Sequence, residues 1–599
     1  MTTAGTFLTS LLDGRPDWPA WTTPPRLDRA AQLRADAAAT RLLTFLDTDA
    51  DLEAVERDGE LPEGFLKALH DVGAFTLGAD EDLGGLGLGA YDVFRVVEAA
   101  ATRSAAVGFL LGVHNGIGVG VSLLPVLPEG PLRDLIRRHI ADGMISGWAD
   151  TDPEGQGNQW PTVTATPAFD GDGYVLDGEK LFISNGPVAT LLGVTVTVRG
   201  DAQAPRVGLA VVDTSDPGFR VEDELEHLGV RGLPNARLTL TGVRVPDAHL
   251  VTVPEGDPRR TPVFASAVMT ARLLIQAAPA LAIARNCLRW SVEFTARRRI
   301  DGAGLGEYDL TRRTLAQNAA DVRLMESATR WALAGPAPQD HFFERQLTRN
   351  ICTDACARVV DRTLSLMGGE GMETARSKRA RGALPVPMER AYRDARVLRT
   401  AGGVDFLADV QTASALLARR TPGTAQPAPH QAPAQGELSP RNRHHFDTLT
   451  DRLARFPATV EAVAGAVASD PRARQYPLLL LGRIARELFG TAAVLAAAAH
   501  DGEQALTDAH CTAAEARLRD LTARLDDPEG PDHAGDRRRP AGRLRTDARA
   551  LTPGDPHPPP HPRRSPSCPP HPQSRYHRSS PPRRPRIPNS APRTRCSWR

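Results

Sequence analysis

The hydrophobic periodicity of this chain changes twice, and these two changes constrain its fold most strongly. Residues 27–142 keep a helical spacing, residues 148–250 alternate apolar and polar side chains as strands do, and helical spacing returns near residue 262. Turn sequences, such as DGDG at 170–173 and SDPG at 215–218, separate the alternating segments. We therefore predict a mostly α protein with a central β domain.

Start and stop signals predict individual helices on both sides of the β region. Leu61-Pro62-Glu63 opens one helix, residues 90–101 form another, and Pro131 begins a third that ends before Asp142. A long helix follows the β region, and Pro279 inside it should kink it because proline lacks an amide N–H. Later bundle helices are predicted at 308–334, 343–367 and 388–400.

Composition divides the rest of the chain into a linker, further helices and a tail. The Pro-rich, aromatic-free stretch before residue 444 predicts a linker, and a 3/4 apolar spacing then predicts three helices. Pro457 lies inside the first of them, so that helix should be kinked or start later. The last 49 residues hold fifteen Pro and ten Arg, a composition typical of disorder. The predicted parts are an N-terminal α-helical domain (25–147), a small β-barrel or sandwich (148–250), a C-terminal four-helix bundle (262–420), a linker (421–443), an extra helical region (444–528) and a disordered tail (529–599).

Charge and cysteine usage exclude several classes of protein. The 72 basic and 72 acidic residues balance over the chain, but the basic tail leaves residues 1–550 acidic, which argues against nucleic-acid binding. No apolar run approaches the roughly 20 residues that span a bilayer, and the first residues lack a secretory pattern. The six cysteines are scattered and predict reduced thiols with no metal site. We expect a cytoplasmic protein.

Seven segments occur in an order and at separations that resemble the acyl-CoA dehydrogenase family over about residues 25–420. They are LPEGFLKALHDVGAFTLGADEDLGGLGLGAYDVFRVVEAAA (61–101), ISGWADTDPEGQGN (145–158), DGEKLFISNGPVA (177–189), LGVRGLPNARLTLTGVRVP (228–246), RRRIDG (297–302), LMGGEGM (366–372) and RAYRDAR (390–396). Each motif alone is weak, whereas the ordered set is specific.

The resemblance implies FAD bound between the β domain and the C-terminal bundle. It also implies an acyl thioester substrate on CoA or a carrier protein, an electron-accepting flavoprotein partner for a dehydrogenase, and a homodimer or homotetramer. In the family, the Gly-rich segment of one subunit completes the FAD site of its neighbour. Carried over residue by residue, the implied cofactor-binding residues are Asp150, Thr151, Phe182, Ile183, Ser184, Arg298, Ser365, Gly368 and Gly369.

The match fails at the catalytic base. Family members remove the α-proton of the thioester with a Glu nine residues after the first Arg of the R-D-A-R block, where this chain has Gly402. Some members carry the Glu on the first long bundle helix instead, where this chain has Ala271 or Arg272. Asp405 and Glu370 are the candidate replacements, and the ordinary alternative for each is a salt-bridged surface acid. The backbone N–H of Gly402 remains able to donate to a thioester oxygen.

Three functions therefore stay open. The first is an FAD-dependent acyl-thioester dehydrogenase, acting on a CH–CH group in fatty acid metabolism, with a relocated or missing base. The second is a flavin-dependent monooxygenase of the same fold, since some branches of the family hydroxylate and lack the Glu. The third is a flavin-binding, catalytically silent subunit, for which the extra helices would form a docking surface. For His114, which is expected near the acyl pocket, we favour a helix-packing role over a catalytic one.

Overall fold

The N-terminal part of the chain is helical. The computed structural model describes Phe7, Leu12 and residues 27–124, 127–200, 203–253, 257–334, 341–420, 438–468 and 475–527. Its first helices are α1 (Arg29–Thr48), α2 (Leu52–Asp58), α3 (Phe65–Asp71), α4 (Ala90–Ala101), α5 (Ala105–Ile117), α6 (Val119–Ser122) and α7 (Pro131–Ala141). Helix α5 is apolar on all sides and buried, and Ser104 caps its first turn by accepting from the Val107 amide. The helices predicted at 90–101 and from Pro131 are confirmed.

The central part is a mixed β-sheet. Its strands are β1 (Ser146–Ala149), β2 (Thr164–Pro167), β3 (Tyr174–Ser184), β4 (Leu191–Gly200), β5 (Gln203–Asp213), β6 (Phe219–Glu224), β7 (Asn235–Val245) and β8 (Leu250–Val251). The strands lie in the order β6-β7-β3-β2-β4-β5-β8, and β1 pairs with β4 in parallel. Alternate side chains such as Val194, Val196 and Leu238 are fully buried in its apolar core. The predicted β domain is confirmed.

A helical bundle follows the β domain. Its elements are α8 (Pro262–Arg272), α9 (Ala278–Arg297), the hairpin strands β9 (Arg299–Ile300) and β10 (Ala303–Gly304), α10 (Asp309–Leu333), α11 (Phe342–Met367), α12 (Gly369–Met372), α13 (Ala375–Ala380), α14 (Met388–Leu398) and α15 (Asp405–Arg419). A π-helical turn, Leu273–Ala277, joins α8 to α9 immediately before Pro279. The kink at Pro279 stays a prediction, and the π turn just before it accommodates a residue without an amide N–H.

Three long helices extend the bundle beyond the family-like region. They are α16 (Pro440–Val467), α17 (Gln475–Asp501) and α18 (Gln504–Asp526), and they share an apolar core with α10, α11 and α15. Helix α16 runs without interruption through Pro457, so the later start expected from that proline is wrong. It begins at Pro440, earlier than the predicted residue 444, because Ser439 caps it and proline fits the first turn. The rest of the predicted linker and the tail lie outside the described residues.

Two described helical stretches are long and apolar enough to cross a membrane by length and composition, Ala105–Ser122 and Phe264–Arg297. Of the 18-residue apolar window in each stretch, 89% is buried inside the protein in the first and 72% in the second. Both therefore have the character of core helices, which accounts for their apolar composition.

Candidate functional site

A buried ion pair holds the loop that follows β1. Lys180, on β3, is fully buried, and its Nζ donates to Asp152 Oδ1 at 2.8 Å, to the Asp150 carbonyl at 3.2 Å and to Thr195 Oγ1 at 3.1 Å. Burial lowers the pKa of this ammonium group, and the Asp152 carboxylate opposes that shift. The ion pair thus pins the expected flavin-contacting loop to strands β3 and β4.

The three candidate residues at the end of β3 have different environments. Phe182 has a positive φ of 60° and is 55% exposed, at a register shift between β3 and β7. Ile183 is 2% exposed and its side chain packs into the β core, so only its backbone could meet a cofactor. This follows from the alternation of a strand, since neighbouring side chains point to opposite faces. Ser184 Oγ accepts from Asn235 Nδ2 at 2.9 Å.

Asp150 and Thr151 lie in the loop itself. The carboxylate of Asp150 accepts from Thr195 Oγ1 at 2.9 Å and from Gln156 Nε2 at 3.1 Å, and Arg259 lies 3.8 Å away. The Thr151 carbonyl accepts from the Leu181 amide, which leaves its hydroxyl available at a half-buried position. Asp150 is therefore a positioning group in this structure, whereas Thr151 has a hydroxyl to offer.

Gln276 fills the space beside the loop in which Gly402 lies. Its amide nitrogen donates to the Ala401 carbonyl, and its amide oxygen accepts from Arg349. Gly402 has a φ of 60°, and a Cβ placed on it would lie 2.9 Å from Gln276 Nε2. Position 402 therefore favours glycine, because a side chain there would combine positive-φ strain with a close contact to the Gln276 amide.

Arg349, on α11, forms hydrogen bonds with the same loop. The guanidinium group donates to the carbonyls of Ala401 and Gly403 and to Asn350 Oδ1 at 2.6 Å, and the side chain is buried. Burial, together with the nearby positive charge of Arg272, lowers its pKa to about 10, so it stays charged at neutral pH. Arg349 therefore fixes the orientation of these two loop carbonyls.

The loop offers backbone donors and lies beside a cation. Among the described residues, the amides of Gly402 and Gly403 have no hydrogen-bond acceptor. The half-buried Arg272 guanidinium has no described carboxylate within 4.0 Å, and it lies 4.0 Å from the sulfur of Met269. A Cβ on Gly403 would lie 3.9 Å from Arg272 Nη2. These groups form a small pocket edge able to receive oxygen atoms that carry negative charge.

The two candidate replacement bases are engaged elsewhere. Asp405 starts α15, where its carboxylate accepts from Arg399 Nε at 2.8 Å and from the Phe406 amide at 2.8 Å. Glu370 is paired with Arg297. Each therefore has the ordinary salt-bridged role that was the alternative to catalysis, and the geometry disfavours Asp405 as a base.

The remaining candidate cofactor residues suit a phosphate-bearing ligand. Gly368 and Gly369 are exposed, and a Cβ on either would meet nothing within 4 Å. Arg298 is exposed at the end of α9, with no carboxylate within salt-bridge distance among the described residues. Ser365 is exposed on the last turns of α11. Open glycine backbone and an uncommitted guanidinium are what a pyrophosphate group requires, so these residues fit FAD.

His114 has a structural role. Its Nε2 donates to the Phe75 carbonyl at 2.7 Å, and its Nδ1 accepts from the Ser146 amide at 3.1 Å. Complete burial lowers its pKa to about 4, so the imidazole is neutral and both nitrogens are used. The helix-packing interpretation is therefore confirmed.

Sequence reasoning missed Lys180, Gln276 and Arg349, and it treated Arg272 only as a register alternative for a missing Glu. Lys180 carried a usable signal, since it is one of three lysines in the chain and lies within a strand motif. Gln276 carried a weaker signal as a polar residue within an apolar helical run. Arg349 carried none, because it lies in a helix rich in polar residues whose partners are remote in sequence.

Sequence models of the three acyl-CoA dehydrogenase domains match this chain, the N-terminal domain over residues 37–124, the middle domain over 148–243 and the C-terminal domain over 261–412. The probable acyl-CoA dehydrogenase FadE10 of Mycobacterium tuberculosis is 32% identical over 380 residues, which are 63% of this chain and 57% of that protein. The match thus spans less than two thirds of FadE10.

Two solved structures show the same fold. An acyl-CoA dehydrogenase complexed with FAD from Bacillus anthracis is 17% identical, covers 92% of this chain and 96% of its own, and has a TM-score of 0.71. A probable acyl-CoA dehydrogenase from Mycobacterium abscessus is 26% identical, covers 66% of this chain and all of its own, and has a TM-score of 0.55. With three ordered domain matches and a shared fold, this chain belongs to the acyl-CoA dehydrogenase family.

Proposed function

We propose that this protein is an FAD-dependent oxidoreductase acting on an acyl thioester, carried by CoA or a carrier protein, without a carboxylate at the usual base position. FAD is the cofactor, and it supplies a hydride acceptor when bound. The observation that carries the proposal is the pair of unoccupied amide donors at Gly402 and Gly403 beside the pinned loop of Asp150.

The residues of this chain bind and orient rather than remove a proton. The Gly402 amide is suited to a thioester carbonyl oxygen, and such a donor stabilises negative charge that develops on that oxygen. Thr151 and Ser184 offer hydroxyl groups, and Phe182 an exposed aromatic face, to the flavin. In this proposal, Arg298, Gly368 and Gly369 would hold the pyrophosphate.

A flavin-dependent monooxygenase is the second candidate, and the environment of Gly402 favours it. The family Glu is absent, and Gln276 occupies the space that its side chain would need. A hydroxylation that begins from reduced flavin and oxygen requires no α-proton abstraction, so a glycine there is compatible with it.

The proposal also covers the oligomeric state, the electron acceptor and the cellular location. We infer a homodimer or homotetramer, supported by exposed apolar side chains near the β9–β10 hairpin, among them Ile300, Tyr308 and Leu310. An electron-accepting flavoprotein would reoxidise a dehydrogenase of this kind, and we place the protein in the cytoplasm.

The test is an anaerobic titration of the purified FAD-loaded full chain with a panel of acyl-CoAs, following the visible absorption band of the flavin. We expect bleaching by one class of acyl group if the protein is a dehydrogenase. A monooxygenase would instead show no bleaching by thioesters. After chemical reduction it would take up oxygen and form a hydroxylated acyl product. If the protein binds flavin but shows neither bleaching by a thioester nor hydroxylation, both candidates are overturned. The catalytically silent subunit would then remain.

A further inference from the structure

Asn235 and Ser184 face each other across strands β7 and β3. The two residues are paired in the register of these antiparallel strands, next to the pair Ile183 and Ala236, whose side chains lie in the β core. Because neighbouring side chains on a strand point to opposite faces, Ser184 and Asn235 share the other face. Asn235 Nδ2 donates to Ser184 Oγ at 2.9 Å, so a buried amide holds a half-buried hydroxyl group.

This pair has no other hydrogen bond that fixes its direction. Asn235 is 4% exposed, and its Oδ1 has no hydrogen-bond partner among the described residues. The Ser184 hydroxyl group accepts from the amide, and within the described part of the chain its own proton has no acceptor. The end of the amide that faces away from Ser184 therefore loses nothing when the amide is turned over.

The two orientations of the Asn235 amide give the Ser184 hydroxyl group opposite roles. When Nδ2 faces Oγ, as in the structure, the hydroxyl proton is directed away from the amide and can be donated to a ligand. When Oδ1 faces Oγ, the amide accepts that proton, and a lone pair of Oγ can accept from a ligand. The same pair can thus donate one hydrogen bond or accept one.

A flavin is a ligand that makes use of both roles, because on two-electron reduction a ring nitrogen changes from an acceptor to an N–H donor. We propose that Asn235 is a positioning residue that lets the Ser184 hydroxyl group donate to oxidised FAD and accept from reduced FAD. This inference rests on the proposed function, because it assumes that Ser184 meets the flavin. Its consequence is that neither redox state of the cofactor is bound at the expense of the other.

The first experiment measures the affinity of the full chain for both redox states of FAD. A fluorescence titration gives the Kd of oxidised FAD, and the midpoint potentials of bound and free FAD then give the Kd of reduced FAD. We expect Asn235→Val, which can neither donate nor accept, to weaken the binding of both forms about three- to tenfold. The midpoint potential should then stay nearly constant, whereas the same loss in one redox state alone would shift it by about 15–30 mV. A one-sided loss, or no loss, overturns the proposal.

Three further variants separate the hydrogen bond from packing. Asn235→Thr has nearly the shape of Asn235→Val, but its hydroxyl group can donate and accept, so both affinities should stay close to those of the unaltered protein. In a Ser184→Ala background, Asn235→Val should weaken FAD binding no further, because the amide acts through the hydroxyl group. Equal losses with and without that hydroxyl group overturn the proposal.

Asn442→Val is the matched control. Asn442 on α16 is fully buried, its Nδ2 donates to the Gln504 carbonyl at 2.9 Å, and its Oδ1 also has no partner among the described residues. We expect this variant to lower the unfolding temperature and to leave both FAD affinities unchanged. FAD affinities lowered as much by Asn442→Val as by Asn235→Val would overturn the assignment to Asn235.

Infrared spectroscopy of the unaltered, FAD-loaded chain tests the rotation without any variant. The difference spectrum between oxidised and reduced protein, recorded with and without ¹³C-labelled asparagine, isolates the asparagine carbonyl bands. We expect one band to move to lower frequency on reduction, because Oδ1 then accepts the hydroxyl proton, and we expect Asn235→Thr to lack it. No change of an asparagine band on reduction overturns the proposal, whereas failure of the unaltered chain to bind FAD contradicts the proposed function itself.

Discussion

At the scale of single residues, the conformation of Gly402 and the position of Gln276 depend on each other. Gly402 has a left-handed backbone, and its missing side chain faces Gln276, whose amide joins the Ala401 carbonyl to Arg349. Gly402 and Gln276 therefore form one structural unit. Placing a Glu at position 402 alone should not create a working base.

We expect Gly402→Glu alone to destabilise the protein by about 1–3 kcal/mol, from positive-φ strain and overpacking, and to give no base activity. Combining it with Gln276→Ala should relieve the clash, recover part of that loss and allow exchange of the acyl α-proton. Thermal unfolding and deuterium uptake into butyryl-CoA, followed by NMR, measure the two effects, with Gln276→Ala alone as the control. A single Gly402→Glu variant as stable as the unaltered protein would contradict this account.

At the scale of elements, polar contacts join helix α17 to the loop that contains Gly402. Arg486 on α17 pairs with Asp354 at 2.8 Å and lies 3.4 Å from Asp409. Asn350 donates both to Asp409 Oδ1 at 2.7 Å and to the Asp405 carbonyl at 2.9 Å. The added helices thus contribute to the position of the loop that contains Gly402, through a chain of polar contacts.

Arg486→Met should therefore cost about 3–5 kcal/mol, because it removes the main counter-ion of the buried Asp409 and of the half-buried Asp354. We expect a clearly lower unfolding temperature and weaker binding of acyl thioester. Arg483→Met is the matched control, since Arg483 lies 3.5 Å from Asp409 but is considerably more exposed, and its loss should cost much less. Similar effects of the two substitutions would show that the Arg486 pairs contribute little.

At the scale of the whole molecule, His114 joins the N-terminal helices to the β domain. Its two nitrogens bond the Phe75 carbonyl and the Ser146 amide, and Asn185 bonds the Leu110 and Ser146 carbonyls beside it. Its pKa of about 4 lies below the usual value near 6.5, so the folded state resists protonation. The stability due to the neutral ring is therefore fully present above pH 6.5 and decreases by about 3 kcal/mol as the pH falls to 4.

We expect His114→Gln to destabilise the protein at pH 7.5, since the amide cannot reproduce both hydrogen bonds. The difference in unfolding temperature between the variant and the unaltered protein should be smaller at pH 5.0. Unfolding temperatures at the two pH values measure this. The exposed His444→Gln is the control and should show no such pH-dependent difference. If the loss of unfolding temperature in His114→Gln is the same at both pH values, the assigned protonation state is wrong.

Much of the fold could be predicted because it depends on local patterns. Period-2 alternation placed the strands, 3/4 spacing placed the helices, and the helix at 90–101 agrees in both ends. The resemblance to the acyl-CoA dehydrogenase family, confirmed by the domain matches, rests on short motifs whose order is visible in the chain. Ile183 shows the limit, since a family motif does not state which face of a strand each residue occupies.

The sequence by itself determined the family, the order of helical and β regions, and the absence of a Glu at position 402, because each is written in consecutive residues. Tertiary structure alone decided what surrounds that glycine. Gln276 reaches the loop from 125 residues away, Asp405 is held by Arg399, and Arg272 has no salt bridge within the described part of the chain. Such pairings depend on the packing of helices distant in sequence, and side-chain charge acts through space, not along the chain.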